Sequence, residues 1–270
     1  MITALMVGGF VSCSDDEQTS STTQDQTTVS VEDDTTTPTT DDQSTSASSL
    51  PATEPWDLLY ISDSSGWRVG EAYAELAADE LGVEVRLIDW RVGGLSMLQA
   101  IDMIAADPQT VADAEIIVLW ANPIGSGIRD DHCFAVTSSI PPEPLTVDEY
   151  GPFGALFEQA FADIWAARDG TPVVLRATDI YVPVLDDWAE VGATDACTAS
   201  WEASSDAVRL AAEKSGATMV SAYDALNGPN HDVDLAQAGY LRDEMHLNAA
   251  GGAVVAQALA AEGFEPSQAP

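Results

Sequence analysis

Short apolar runs that each stop at a polar turn, and alternate with segments of helical period, leave a chain few ways to fold. Five such runs occur here: Trp56–Ile61, Val83–Asp89, Ala114–Trp120, Thr171–Ala177 and Ala217–Tyr223. The third, AEIIVLW, is the plainest buried strand, and the second alternates. Between them lie helical patterns over residues 67–81, 95–106, 153–168 and 200–215, with a closing helix over 248–261. In the first, Val69, Tyr73, Leu76 and Ala77 share one face and Gly82 supplies the stop. Asn248 is placed to cap the last helix. Strands alternating with helices predict an α/β domain, a three-layer α/β/α sandwich around a mostly parallel five-stranded sheet. Ligands of such sheets bind beyond the carboxyl ends of the strands. Two irregular stretches, 122–152 and 178–199, interrupt the alternation and are the places to look for specificity. No internal repeat is visible.

That pattern covers only part of the chain. Residues 14–55 are rich in Ser, Thr, Asp and Gln with no clustered apolar residues. Such a segment cannot bury enough apolar surface to offset the entropy of ordering, and it reads as a disordered tether. Residues 56–270 remain, enough for one α/β domain with its own core. Ahead of the tether, MITALMVGGFVSC is apolar up to Cys13 and too short to span a bilayer, but it suits the core of a signal peptide. Phe10-Val11-Ser12-Cys13 resembles a bacterial lipobox, which implies a lipidated Cys13 as the first mature residue. No Lys or Arg precedes the apolar run, the one element of such a leader that is missing. The expected arrangement is therefore 1–13 signal peptide and lipobox, 14–55 tether, and 56–270 folded domain. The location that follows is extracellular, on the outer face of a bacterial membrane.

Charge narrows the partners. With 45 acidic residues against 9 basic ones the net charge is −36. A chain this acidic repels phosphate backbones, which speaks against nucleic acid, and it has no polybasic patch for anionic lipid. Membrane contact is expected through the lipid anchor only, and the domain is expected to act as a monomer. Apart from Cys13, the cysteines are Cys133 and Cys197. In an oxidising compartment an even pair suggests one disulfide; two separate buried thiols are the alternative.

The chemistry-bearing residues fall at strand ends. Ser62-Asp63-Ser64-Ser65-Gly66 follows the first strand, Gly93-Gly94 the second and Asn122 the third; Asp243-Glu244-Met245-His246 precedes the last helix. A serine nucleophile needs a base to take its proton and a third group to orient that base. Asp243 and His246, three residues apart, let the carboxylate reach Nδ1 while Nε2 faces outward. A serine at a strand-to-helix turn sits where a helix N-terminus favours developing negative charge. Taken singly these motifs are weak, since an Asp-Ser pair is more often a helix cap and an Asp-x-x-His a surface pair. Their order and common rim give them weight.

Together the four segments resemble the SGNH (GDSL-like) hydrolases, across residues 56–262. That family carries Gly-Asp-Ser after its first strand, a Gly in a second block, an Asn in a Gly-x-Asn-Asp block and a late Asp-x-x-His. The resemblance implies a flavodoxin-like SGNH fold with Ser64 as nucleophile, His246 as general base and Asp243 orienting it. It implies an oxyanion hole from the Ser64 and Gly94 backbone N–H groups and the Asn122 side chain. Ser65 rivals Ser64, and Gly93 rivals Gly94. Three departures stand out: Ser62 for the first Gly, Trp120 for the Gly of the third block, and Pro123 for its Asp. The implied activity is an esterase or acyl hydrolase acting through a covalent acyl-enzyme, without cofactor or metal, on a small-molecule or carbohydrate ester such as an acetylated carbohydrate. A non-catalytic ligand-binding lipoprotein on the same fold is the alternative that the altered third block keeps open. A phosphate or flavin site at the Ser-rich turn would leave the Asp-x-x-His segment without a role.

The remaining candidates have plainer readings. His132 lies in an acidic loop beside Cys133, His231 could join Asp234 on a metal, and Trp188, Trp201 and Tyr181 could form a substrate platform. Solvated loop histidines and packed aromatics account for these more simply. The leader makes its own prediction. Replacing Cys13 with Ser should move the protein from the membrane fraction to the soluble one; a wild type that is wholly soluble, or a variant that stays on the membrane, would reject the lipid anchor.

Overall fold

In a computed structural model, residues 54–123, Cys133 and residues 143–270 are described. The leader with Cys13, nearly all of the predicted tether, and His132 lie outside them. The five expected strands are present as β1 (Trp56–Ser62), β2 (Val85–Arg91), β3 (Ile116–Trp120), β4 (Val174–Thr178) and β5 (Thr218–Val220). They form one sheet in the order β2-β1-β3-β4-β5, with every pairing parallel. β1 lies between β2 and β3, so Leu58 is flanked by Leu87 and Ile116.

Neighbouring residues of a strand face opposite sides, and each side has its own core. Leu59, Ile61, Ile117, Leu119 and Leu175 point to one face. There they meet α2 (Met97–Ala106), α3 (Pro108–Asp113), α4 (Gly151–Ala167) and α6 (Thr194–Lys214). Leu58, Tyr60, Ile116, Val118, Trp120 and Val174 point to the other. That face carries α1 (Val69–Leu81), α7 (Ala222–Asn227) and α8 (Ala249–Ala261). Near-continuous apolar runs in β1, β3 and β4 follow from burial on both faces, while the edge strand β2 is only partly buried. This is the three-layer α/β/α sandwich around a parallel five-stranded sheet that the sequence predicts.

The helix ends are written in the sequence. Ser96 and Gln99 form a reciprocal capping box at the start of α2. Asp107 caps α3 through Thr110, and Pro108 opens that helix where its missing N–H costs nothing. Asn248 caps α8 as expected, its Oδ1 accepting from the N–H groups of Ala250 at 2.8 Å and Gly251 at 3.1 Å. Two buried arginines tie segments together without a carboxylate. Arg168 donates to the carbonyls of Val111, Ala112, Thr171 and Pro172, and Arg176 to that of Gly263.

Several boundaries differ from the sequence reading. The helix expected from residue 200 starts six residues earlier, and α5 (Leu185–Glu190) lies inside the stretch read as irregular. The reason is a third apolar cluster, in which Val182, Leu185, Trp188, Cys197 and Trp201 pack with Cys133. Tertiary burial there orders a segment with weak helical periodicity. The fifth strand is three residues long rather than seven, because Ser221 caps α7 by accepting from the Asp224 N–H at 2.9 Å. The expected 67–81 helix begins at Val69 as α1, after a 3-10 turn over Ser64–Gly66.

Cys133 and Cys197 are disulfide-bonded, with Cα atoms 5.4 Å apart. The bridge fixes Cys133 against α6. Trp188 Nε1 donates to the Cys133 carbonyl at 2.6 Å, a second tie to the same residue. The bond closes a sequence separation of 64, worth about 4 kcal/mol in the chain-entropy model. Replacing both cysteines with Ala should lower the melting temperature by on the order of 10 °C, and thiol titration of the wild type should find neither residue reactive. Reactive thiols or an unchanged melting temperature would contradict this.

Candidate active site

The loops after β1, β2, β3 and β4 and the segment before α8 converge at the carboxyl rim of the sheet. They enclose a cleft of about 140 Å³ lined by Asp63, Ser64, Ser65, Gly94, Asn122, Ile180, Tyr181, Pro183, Met245 and His246. Residues that are 182 positions apart in sequence meet there. His246 Nε2 is 3.1 Å from Ser64 Oγ, and His246 Nδ1 is 2.9 and 3.0 Å from the two carboxylate oxygens of Asp243. An unbroken hydrogen-bond line therefore runs from serine through imidazole to carboxylate.

Local structure sets each member. Asp63 caps the 3-10 turn: its Oδ1 accepts from the Ser65 N–H at 2.9 Å and from the Ser65 hydroxyl. That contact turns Ser65 inward, where it is buried, and leaves Ser64 half-buried and facing His246. Geometry thus decides between the two serines. Gly66 must be glycine, since a Cβ there would collide with the Ser62 and Tyr60 hydroxyls. Between the two glycines, Gly94 lines the cleft; it adopts φ +68°, a conformation that favours glycine. The Ser64 and Gly94 N–H groups have no hydrogen-bond acceptor among the described residues. Asn122 reaches the same cleft, and its side chain hydrogen-bonds Asp63.

The two carboxylates sit in contrasting surroundings. Burial pushes the Asp63 carboxyl up from its ordinary value, opposed by its bonds from Ser65 and Asn122 and by the charge of His246. At Asp243 the desolvation that pushes its carboxyl up is outweighed. The His246 and Met245 N–H groups, at 2.8 and 2.9 Å, together with the imidazole hold it well below the usual carboxylate range. Asp243 therefore stays ionised wherever an imidazole could change its charge, and it offers a permanent negative partner to His246.

Tyr181 has a role that its buried aromatic character hid in the sequence. Its hydroxyl donates to the Met245 carbonyl at 2.7 Å and lies 3.3 Å from the Ser65 carbonyl. One phenol thus ties the turn that holds Ser64 to the segment that holds His246. Burial, with the charges of Asp63 and Asp243, raises its pKa far above the ordinary tyrosine value, so it remains a neutral donor. Trp120 packs edge-on against its ring at 6.3 Å. Trp188 and Trp201 are buried in the third cluster and form no substrate platform. His231 stacks on Tyr223 at 3.7 Å and contacts Asp224 at 2.7 Å and Glu202 at 3.4 Å. Asp234 instead accepts from the Gln237 N–H, and no group of three or more metal-ligating side chains occurs among the described residues. Among those residues no helix is long and apolar enough to cross a membrane.

No family model matches the sequence, and no curated protein does. Solved structures do match the fold. A lipase from a goat rumen metagenome superposes with a TM-score of 0.55 at 16% identity, covering 77% of this chain and 98% of its own. A catalytic mutant of an acetylxylan esterase from Geobacillus stearothermophilus gives 0.54 at 14% identity, covering 78% and 95%. An alpha/beta hydrolase from the metagenome of Lake Arreo, Spain, gives 0.53 at 17% identity, covering 76% and 94%. At these identities the likeness establishes a shared fold.

The tie through Tyr181 is testable by the reactivity of Ser64. Tyr181→Phe keeps the ring and removes a hydrogen bond worth about 1 kcal/mol. Labelling of Ser64 by a fluorophosphonate should slow by about fivefold, with the melting temperature lowered by a few degrees at most. Unchanged labelling would mean that the hydroxyl does not position the pair.

Proposed function

We propose that this protein is a serine esterase that works through a covalent acyl-enzyme. The observation that carries the reading is the continuous line Ser64–His246–Asp243 at 3.1, 2.9 and 3.0 Å, opening on a cleft with two backbone donors and an amide beside it. His246 Nε2 takes the Ser64 proton as Oγ attacks the ester carbonyl, and the oxyanion forms toward the N–H groups of Ser64 and Gly94 and the Asn122 amide. Each such donor is typically worth about 3 kcal/mol of barrier. The imidazolium then returns the proton to the leaving alcohol, and water attacks the acyl-enzyme by the same route reversed. Asp243 stabilises the imidazolium at each stage without itself taking a proton.

The substrate proposed is a short acyl ester, with acetylated carbohydrate the leading candidate. Support comes from the small cleft, whose walls are Ile180, Pro183 and Met245, and from the acetylxylan esterase among the structures of the same fold. We place the enzyme outside the cell, held to the membrane through Cys13 by its polar tether, acting as a monomer without cofactor.

Fluorophosphonate labelling followed by peptide mapping tests activity and nucleophile together. Ser64 should carry the label. Ser64→Ala and His246→Ala should each lower turnover of a chromogenic acetate ester by at least about 10⁴-fold, and the double variant should be no worse, because the members act as a unit. A folded Ser64→Ala protein with substantial activity would overturn the assignment. The pH profile has a defined sign. Protonated imidazole cannot accept the serine proton, so kcat/KM should fall as pH falls. Asp243 is already ionised across that range, so the acid limb should follow a single proton. A limb that requires two protons would implicate a carboxylate as well.

A further inference from the structure

In a chain with a net charge of −36, the few cations are conspicuous by where they gather. Arg168 and Arg176 are buried on backbone carbonyls, and Arg86, Arg209 and Lys214 each pair with an acid at the surface. The other three described cations converge on one indole. The guanidinium carbons of Arg242, Arg91 and Arg68 lie 4.5, 4.6 and 5.7 Å from the ring centre of Trp67, three residues after Ser64. Arg242 Nε is also 3.1 Å from Asp243 Oδ2, so the cluster abuts the carboxylate end of the hydrogen-bond line that begins at Ser64.

The three are not equally engaged. Arg91 is largely enclosed and is held by Asp89 and Glu71. Arg242 shares Asp243 with His246. Arg68 is exposed and has no carboxylate within 4 Å among the described residues; its guanidinium carbon lies 5.7 Å from the centre of the Trp67 ring. Its backbone is fixed at φ +68°, a strained conformation for a non-glycine residue, and Gly252 of α8 leaves the room its Cβ needs. Formal charge in the cluster balances, three guanidiniums against Asp89, Glu71 and Asp243. Within that balance Arg68 is the guanidinium that has no carboxylate partner among the described residues, beside a site on a strongly negative protein.

We propose that Arg68, which shares the Trp67 indole with Arg242, forms a subsite for a carboxylate carried by the substrate next to its scissile ester. The preferred substrates would then be acyl esters of acidic molecules, such as an acetylated acidic sugar, rather than of neutral ones. The proposal rests on the esterase reading. Its chemistry is ordinary: a guanidinium with free N–H donors pairs with a carboxylate, and the aromatic face holds the cation in place without neutralising it.

A matched pair of aryl acetates tests it: 4-acetoxybenzoate, which is anionic, and 4-acetoxybenzamide, which is neutral and of the same shape. The quantity read is the ratio of their kcat/KM values. At low ionic strength the ratio should be about fivefold higher in the wild type than in Arg68→Gln, the range of an exposed ion pair, and Arg68→Lys should recover part of it. Raising the salt concentration should shrink the difference between the wild-type and Gln-variant ratios, since an exposed guanidinium–carboxylate attraction is screened. Turnover of both esters with a ratio that Arg68→Gln leaves unchanged at low salt overturns the subsite and leaves the esterase standing. No turnover of either ester, with Ser64 unlabelled by a fluorophosphonate, overturns the esterase and the subsite together.

Discussion

Everything at the rim depends on the strands all running the same way. Parallel pairing of β1 with both β2 and β3, continued through β4 and β5, brings every strand's carboxyl end to one side of the sheet. A parallel ladder cannot be closed by tight hairpins, so each strand must be followed by a crossover, and helices must cover both faces. The strand-end loops are then left free of the two cores. Ser64, Gly94, Asn122 and Tyr181 come from four different strand ends, yet no long loop is needed to bring them within one cleft. The Asp243–His246 segment completes the set because α8 packs against α1, the helix that begins just past Ser64.

How much of this could be read in advance follows from where the information lies. The strands and the caps at Ser96, Asp107 and Asn248 are local, set by apolar period and by side chains bonding backbone within three residues, and the sequence displays them. The Ser64–His246–Asp243 arrangement was legible for a related reason: Asp243 and His246 are neighbours on one turn, and Ser64 follows a strand. What was hidden is long-range. The order in residues 185–200 comes from Cys133, Trp188 and Trp201 packing together, and no periodicity within the segment encodes that. The bridge by Tyr181 links carbonyls at 65 and 245, and a backbone acceptor leaves no mark in a sequence. The choice between Ser64 and Ser65 depended on which hydroxyl Asp63 would capture, a question of angle rather than residue type.

Asp63 and Asp243 show how two carboxylates of one site come to different uses. Asp63 is buried, receives its hydrogen bonds from the turn it caps, and is pushed up by its surroundings. Asp243 is nearly half exposed, receives two backbone N–H groups and the imidazole, and is pushed down. The first holds a shape and its hydrogen bonds matter more than its charge. The second holds a charge, and water can still reach it. Exchanging the two environments would leave His246 facing a carboxyl inclined to protonate, unable to stabilise the imidazolium.

The altered third block fits the same logic. Relative to the family pattern, Trp120 and Pro123 replace small and acidic residues around Asn122. Trp120 does not face the cleft. It is fully buried in the core beside α1 and α8 and packs edge-on against Tyr181, the residue that joins the serine turn to the histidine segment. A larger side chain at that position thus supports the tie that the site relies on. Asn122 remains in the cleft, and its side chain is among the groups that oppose the upward shift of the Asp63 carboxyl, the carboxylate that also fixes the turn of Ser64. The block has thus lost its family signature while keeping Asn122 in the cleft beside Ser64.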